Sequence, residues 1–261
     1  MTQNRKIGII GAGGWLGSSL ARSLVQTGFC REHELTLSYR SKRPDFLPGA
    51  VWTKDNLELA KNSDVVVLSI RPEDFPALEL KTSGKLLVSF MAGVSLQELS
   101  DNLGTSCVVR ALPNAAIEVQ KSYTPWIAHS VSPSDKQLLS DLFGAIGEHD
   151  EVFEEVHLDY FAASTGTGPA YIALLCEILE KDAIAQGIAP LTARKATHTL
   201  LFGSSKLIEA KSTGFTEIVD QFVAYDGMTA AALRHMQRSG MQIIVHDGIR
   251  AALERAKTLK P

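Results

Sequence analysis

The residues with the clearest chemical meaning stand near the start of the chain, in Gly11-Ala12-Gly13-Gly14-Trp15-Leu16-Gly17. Glycines at this spacing let the backbone turn sharply and come close to a bulky anion with no Cβ in the way. They follow KIGII at 6–10, which reads as a short buried strand, and precede an amphipathic stretch from about Trp15 to Thr27 that reads as a helix. A strand, a glycine turn and a helix start place free N–H groups and the positive end of a helix dipole at one point. The chemistry this suits is the binding of a dinucleotide's pyrophosphate. The spacing is G-x-G-x-x-x-G, because Leu16 holds the sixth position, and Gly17 is expected to take the close helix–sheet contact instead. A turn that binds nothing is the bland alternative, and the flanking strand and helix weigh against it.

The next strand indicates which dinucleotide. Leu35–Tyr39 reads as a strand, and the chain continues Arg40-Ser41-Lys42-Arg43. An NAD site places an acid at this point to accept from the ribose 2′-hydroxyl, whereas a 2′-phosphate calls for cations and hydroxyls. There is no acid here, so NADP(H) is the expected cofactor; a solvated basic loop is the competing reading.

These residues need a scaffold, and the rest of the N-terminal half supplies one. Val51 and Trp52, Asp64–Ile70, Lys85–Phe90 and Ser106–Leu112 are further strand candidates, with helical stretches between most of them. Such alternation predicts a parallel, doubly wound sheet of the Rossmann type. Tyr123–His129 and Ile146–Val152 are candidate edge strands. From Glu154 to Lys260 the periodicity is helical, over Ala170–Gln186, Leu191–Lys211, Thr216–Val223, Met228–Arg238 and Gln242–Leu259. The expected division is 1–155 for the α/β domain and 156–261 for an all-helical one, with no Pro/Gly/Ser linker between them.

Composition excludes several classes. The 261 residues are 45% hydrophobic and 21% charged, with 26 Lys plus Arg against 29 Asp plus Glu, so no basic surplus points to nucleic acid. No apolar run approaches the roughly 20 residues of a membrane span, and the N-terminus reads as a strand rather than a signal peptide. Cys30, Cys107 and Cys176 are far apart and odd in number, which fits reduced thiols in a cytoplasmic protein. The seven histidines are scattered, so no metal site is expected.

Four segments give the chain a family likeness. Asn56 precedes Ser63–Pro72 (SDVVVLSIRP), which is similar to a strand ending V-K-P in the pyrroline-5-carboxylate reductases. Ser89–Ser95 (SFMAGVS) resembles that family's S-x-A-A-G-V-S, and Arg110–Asn114 (RALPN) its R-x-M-P-N. Thr165–Tyr171 (TGTGPAY) resembles S-G-S-G-P-A-Y at the start of the family's long helix. The resemblance implies a Rossmann domain followed by a helical dimerisation domain, with a homodimer or larger homo-oligomer as the assembly. It also implies hydride transfer from NADPH to the C=N carbon of a cyclic imine acid, the proline-forming step. Cofactor contacts would come from Gly11, Gly13, Gly14, Trp15 and Leu16, from Arg40, Ser41 and Asn56, and from Ser69, Arg71, Pro72, Ala92 and Gly93. Asn114, Thr165, Gly227, Met228, Thr229 and Ala230 would meet the substrate.

The departures lie in the substrate loop. The family's S-P-G-G-T-T aligns with Tyr225-Asp226-Gly227-Met228-Thr229-Ala230, so Met228 stands for a glycine and Ala230 for the threonine whose hydroxyl meets the ring nitrogen. Tyr225, Asp226 and Thr167 are the remaining candidates to handle the proton. Asp226 has a structural alternative as the cap of a helix opening at Gly227, and Thr165 and Thr167 have one as caps ahead of Pro169. Glu118 is either an exposed loop carboxylate or a substrate contact. The alternatives in function are the same fold acting on another imine or a carbonyl, and a non-catalytic NADP(H)-binding relative.

Overall fold

A computed structural model describes residues 5–258. Two compact units emerge: residues up to Pro169 together with those from Ala252 onward, and Ala170–Ala251.

The first unit is built on an eight-stranded sheet. Its strands are β1 (Ile7–Ile10), β2 (Leu35–Ser38), β3 (Val51–Thr53), β4 (Val65–Leu68), β5 (Leu86–Ser89), β6 (Val108–Ala111), β7 (Ser122–His129) and β8 (Gly147–Glu151). The order across the sheet is β3-β2-β1-β4-β5-β6-β7-β8. Strands β1 to β6 pair in parallel, as the alternation of strand and helix requires. The two further strands the sequence offered extend the parallel core: β7 runs antiparallel to β6, with Arg110 opposite Ile127, and β8 forms the edge. A parallel return needs a crossover of a dozen or more residues. The link between β6 and β7 holds only a 3-10 turn at Ala115–Val119, ended by Gln120 at φ 53°, so the chain doubles back.

Helices cover both faces of the sheet. On one side α1 (Trp15–Gln26) and α4 (Pro133–Gly144) bury Leu20, Leu24, Leu139 and Leu142 against Ile7, Ile9, Val65 and Val67. On the other, α2 (Asn56–Lys61) and α3 (Leu96–Leu103) bury Leu59, Leu99 and Leu103 against Ile10, Val66 and Leu68. The period-2 alternation along β4 thus feeds two separate cores, which is why its run is apolar throughout. α3 is well delimited: Ser95 and Glu98 form a capping box at its start, and Gly104 at φ 66° ends it. No helix lies between β2 and β3, and only a 3-10 turn at Pro72–Asp74 lies between β4 and β5. These two gaps leave the carboxyl ends of β2 and β4 open to solvent.

Helical structure begins inside the first unit, with α5 (Glu155–Phe161), a π-helical turn at Ala162–Gly166 and the first residues of α6 (Gly168–Ala185). The rest of α6, α7 (Pro190–Glu209), α8 (Phe215–Ala224), α9 (Met228–Arg238) and most of α10 (Met241–Thr258) make the second unit. These helices match the periodic segments of the sequence closely; Leu259 and Lys260 lie outside the described residues. No helix among the described residues is long and apolar enough to cross a membrane.

Candidate active site

The strand order reverses between β1 and β4, so a crevice opens at the carboxyl ends of the strands there. The glycine turn occupies it. Gly11 has a φ of 83° and its carbonyl accepts from the Gly14 N–H at 2.9 Å, which folds the chain back before α1 begins. The Gly11 N–H donates to Ser38 Oγ at 3.3 Å and so ties the turn to β2. A Cβ on Gly17 would lie 2.5 Å from the Gly11 oxygen and 3.0 Å from Ala12 Cα. Gly17 therefore makes the close contact that its offset position predicted. Gly14 caps α1 with no side-chain acceptor. The first N–H groups of the helix, on Trp15 and Leu16, have no partner inside it.

A cleft of about 590 Å³ runs from this turn toward the end of β2. Gly11, Gly13, Gly14, Ser69 and Arg71 line one end of it, and Arg40, Ser41 and Asn56 the other. Tyr39, Lys42, Lys54 and Asp74 complete the second end. Each is held by its own element. The Ser69 N–H donates to the Ile10 carbonyl at 2.9 Å. Asn56 opens α2, whose cap Asp55 accepts from Leu57 and Glu58 N–H at 2.8 and 3.0 Å. Lys54 Nζ stands 5.5 Å from the Tyr39 ring centre. Pro72 starts the 3-10 turn after Arg71, and that turn carries Asp74. Arg40 Nη1 donates to Asp74 Oδ1 at 3.2 Å. Ala92 and Gly93 follow β5, with Gly93 at φ 78°.

Beyond α1, the exposed Trp15 indole donates to the Glu118 carboxylate. The loop carboxylate of Glu118 thus has a partner on the first turn of α1. Asn114 ties three segments together. Its N–H donates to Ser122 Oγ at 2.9 Å, its Oδ1 accepts from Ala116 N–H at 2.9 Å, and its Nδ2 donates to the Thr165 carbonyl at 3.1 Å.

The segment around Thr165 differs from the expected helix start. It is a π-helical turn in a continuous helical run, a form concentrated at functional positions. Thr165 Oγ1 donates to the Phe161 carbonyl at 3.1 Å, and Thr167 Oγ1 to the Ala163 carbonyl at 2.5 Å. Neither hydroxyl caps a helix; both take up carbonyls of the distorted turn. Their hydrogens are committed, and their lone pairs remain to accept.

The turn is braced from below by Arg110, which is 2% exposed on β6. Its Nη1 meets Glu155 Oε1 at 2.6 Å and its Nη2 meets Asp159 Oδ1 at 2.8 Å, both on α5. Glu155 Oε1 also accepts from the Leu96 N–H at 3.0 Å, joining α3 to the cluster. Sequence reasoning missed this cluster and the Arg40–Asp74 and Trp15–Glu118 pairs. Glu155 and Asp159 carried one usable signal: four residues apart, they share a helix face.

In the second unit, Gly227 is the N-cap of α9 and supplies no side-chain acceptor. Asp226 is not the cap that its position suggested. It adopts φ 50°, and its Oδ1 accepts from Arg234 Nη1 at 2.6 Å, one side chain reaching back along α9 to the other. Tyr225 and Met228 are exposed, at 87% and 92%, whereas Ala230 is fully buried. Thr229 stands between them in the first turn of α9. Met228 therefore projects away from the packing of its own unit, whereas the Ala230 methyl packs within it.

A switch-point glycine turn on a mostly parallel sheet, continued by helices, defines a Rossmann-type oxidoreductase with a helical second domain. Residues 155–259 match the family described as pyrroline-5-carboxylate reductase dimerisation, and residues 6–93 match the one described as NADP oxidoreductase, coenzyme F420-dependent. A pyrroline-5-carboxylate reductase of Synechocystis sp. is 27% identical, over 97% of this chain and 98% of its own. The solved structure of a pyrroline-5-carboxylate reductase from Coxiella burnetii is 26% identical and superposes with a TM-score of 0.87, over 99% of this chain and all of that one. That of a pyrroline carboxylate reductase from Plasmodium falciparum, with NADP bound, shares the fold at a TM-score of 0.85 and 24% identity, with full coverage of both chains. Over its whole length the chain is similar to pyrroline-5-carboxylate reductases, and its helical half matches their dimerisation family.

Proposed function

We propose that the chain reduces pyrroline-5-carboxylate to proline with NADPH. The observation that carries this reading is the cleft itself, in which the Gly11–Gly17 turn meets an Arg40-Ser41-Lys42 rim with no acid at the end of β2. A dinucleotide fits this cradle because the turn stays tight: α1 packs directly on it at Gly17, where a Cβ would meet the Gly11 oxygen at 2.5 Å and force the two apart. Backbone N–H groups of Trp15 and Leu16 would hold the pyrophosphate, and Arg40 with Ser41 a 2′-phosphate. Asn56 would meet the ribose beside Arg40, and Ser69, Arg71, Pro72, Ala92 and Gly93 would line the path toward the nicotinamide end. When bound, reduced nicotinamide supplies a hydride to the imine carbon, and the nitrogen takes a proton to give the secondary amine.

The proton comes neither from Asp226, whose carboxylate accepts from Arg234, nor from the committed hydroxyl hydrogen of Thr167. The substrate enters as the protonated iminium, and the Thr167 lone pairs accept from it. Tyr225 stays as a polar wall of the substrate loop. The uncapped start of α9, with N–H groups on Met228, Thr229 and Ala230, receives the substrate carboxylate. Asn114 and Thr165 keep the π-helical turn in place.

The functional division falls at 155/156, which the start of the dimerisation match at residue 155 supports. The helical half joins two copies of the chain. Tyr171, Ile172, Leu174, Leu175 and Ile178 on α6 are all at least 36% exposed, more apolar surface than one helix of a monomer leaves to water. The enzyme works in the cytoplasm, where its three thiols remain free.

The test is oxidation of NADPH by the purified protein with pyrroline-5-carboxylate, beside NADH. Turnover that favours NADPH is expected, and Asp226→Asn should retain most of it. Absence of turnover while NADPH still binds would refute the substrate assignment and favour a repurposed loop around Met228. Loss of most activity in Asp226→Asn would return the proton to that residue.

A further inference from the structure

The acid that β2 lacks is present in the cleft, supplied by a different strand. Asp74 sits on the 3-10 turn after β4, where Pro72 fixes the first residue and the Asp74 N–H donates to the Arg71 carbonyl at 3.0 Å. β4 flanks β1 on the side opposite β2, so this turn faces the end of β2 across the crevice. The carboxylate takes Arg40 Nη1 at 3.2 Å, and both residues line the same wall of the cleft as Ser41, Lys42 and Lys54. Resting on the NADPH reading above, we propose that Asp74 is a specificity-determining residue of the adenosine-ribose end, competing with a 2′-phosphate for Arg40.

The argument is one of charge and valence. Arg40 presents a fork of donors suited to a phosphate, and Asp74 occupies one arm of it. A 2′-phosphate must draw Arg40 away from Asp74, or share it with a carboxylate of its own sign a few ångströms off. A 2′-hydroxyl meets no such opposition and finds in Asp74 the acceptor that NAD sites provide from the second strand. Asp74 therefore holds back the preference for NADP(H) that Arg40, Ser41 and Lys42 create. The pair is largely exposed, with the Arg40 side chain at 85% and Asp74 at 44%, so the effect is modest and sensitive to salt.

The test is calorimetric titration of the full chain and its Asp74→Asn variant with 2′,5′-ADP and with 5′-ADP. Wild type should bind 2′,5′-ADP the more tightly. In D74N its affinity should rise about two- to fivefold, the range of an exposed ion pair, while that for 5′-ADP stays level or falls. The ratio of kcat/KM for NADPH over NADH should rise in parallel. In an Arg40→Gln background the D74N effect on 2′,5′-ADP should vanish. Equal changes for both ligands, no change, or a gain that persists without Arg40 would each overturn the proposal while leaving the NADPH reading intact. A wild type that binds 2′,5′-ADP no better than 5′-ADP would remove that reading and the proposal with it.

Discussion

Replacing Arg110 with Met tests whether the charged cluster under the π-helical turn holds it in place. Two charge-assisted hydrogen bonds are lost, at 2.6 and 2.8 Å, each contributing about 1.5–3 kcal/mol where fully desolvated. Their acceptors are not fully desolvated: the Glu155 and Asp159 side chains are 35% and 45% exposed. Water therefore recovers roughly half of the loss. Met also removes a polar atom that is a burden in the wild type, because Arg110 Nε is buried with no hydrogen-bond partner, a penalty of about 1 kcal/mol. The net destabilisation is about 1 kcal/mol, which lowers Tm by roughly 2–4 °C in a chain of this size. Urea unfolding and a thermal scan at matched protein concentration measure it. Kinetics supply the second readout, since a loosened turn should raise KM for the imine more than KM for NADPH. Arg110→Lys keeps the charge but not the fork, and should fall between the two. A Met variant as stable as wild type would refute the reasoning, by showing that burying the guanidinium costs as much as its two carboxylates return.

Gly17→Ala puts a Cβ 2.5 Å from the Gly11 oxygen. The helix gains about 1 kcal/mol of propensity and the turn is pushed apart at a cost of about 1–3 kcal/mol, so NADPH affinity, read by fluorescence titration, should fall by at least about tenfold. Unchanged affinity would mean that the turn does not hold the pyrophosphate. The Cys30 thiol is pushed from the usual 9.0 up to about 12, by burial first and by Glu34 second. The folded state therefore binds this proton more tightly than the unfolded one. The stability involved is fully present below pH 9.0 and is lost as the pH climbs to about 12. Cys30→Ala should flatten the alkaline limb of a stability–pH curve, and an identical limb in the variant would count against the assignment.

Much of this was legible in the order of residues. The glycine turn, the offset of Gly17 and the basic end of β2 each reflect a local rule in which a few neighbouring residues decide the outcome. The helices after residue 155 were equally plain, because their periodicity is carried by runs of ten residues and more. What escaped were pairings between distant segments. Nothing in Arg40 or Asp74 alone indicates that one loop faces the other, since that depends on β1 lying between β2 and β4. The reversal at β7 follows from a connection too short to cross the sheet, yet Tyr123–His129 looks the same in either direction. For Asp226 the sequence offered two readings, a proton-handling group and a helix cap; the cap is excluded, because a left-handed backbone turns the side chain along α9 toward Arg234. The π-helical turn has no sequence rule at all; threonines at 165 and 167 beside glycines fit a cap equally well.

The position of Trp15 also gives the molecule its own optical gauge. Of the three tryptophans, Trp126 is 4% exposed, tilted against Phe143, and Trp52 is wedged edge-on against Phe46. Trp15, at 61% exposed, stands on the first turn of the helix that faces the dinucleotide, with its indole N–H on a carboxylate. Indole emission overlaps the absorption of reduced nicotinamide and not of oxidised. Trp15 at the start of α1, with Trp52 behind the cleft-lining Tyr39, thus dims when the reduced cofactor arrives and recovers as it is spent, so each turnover writes its own light trace with no label attached.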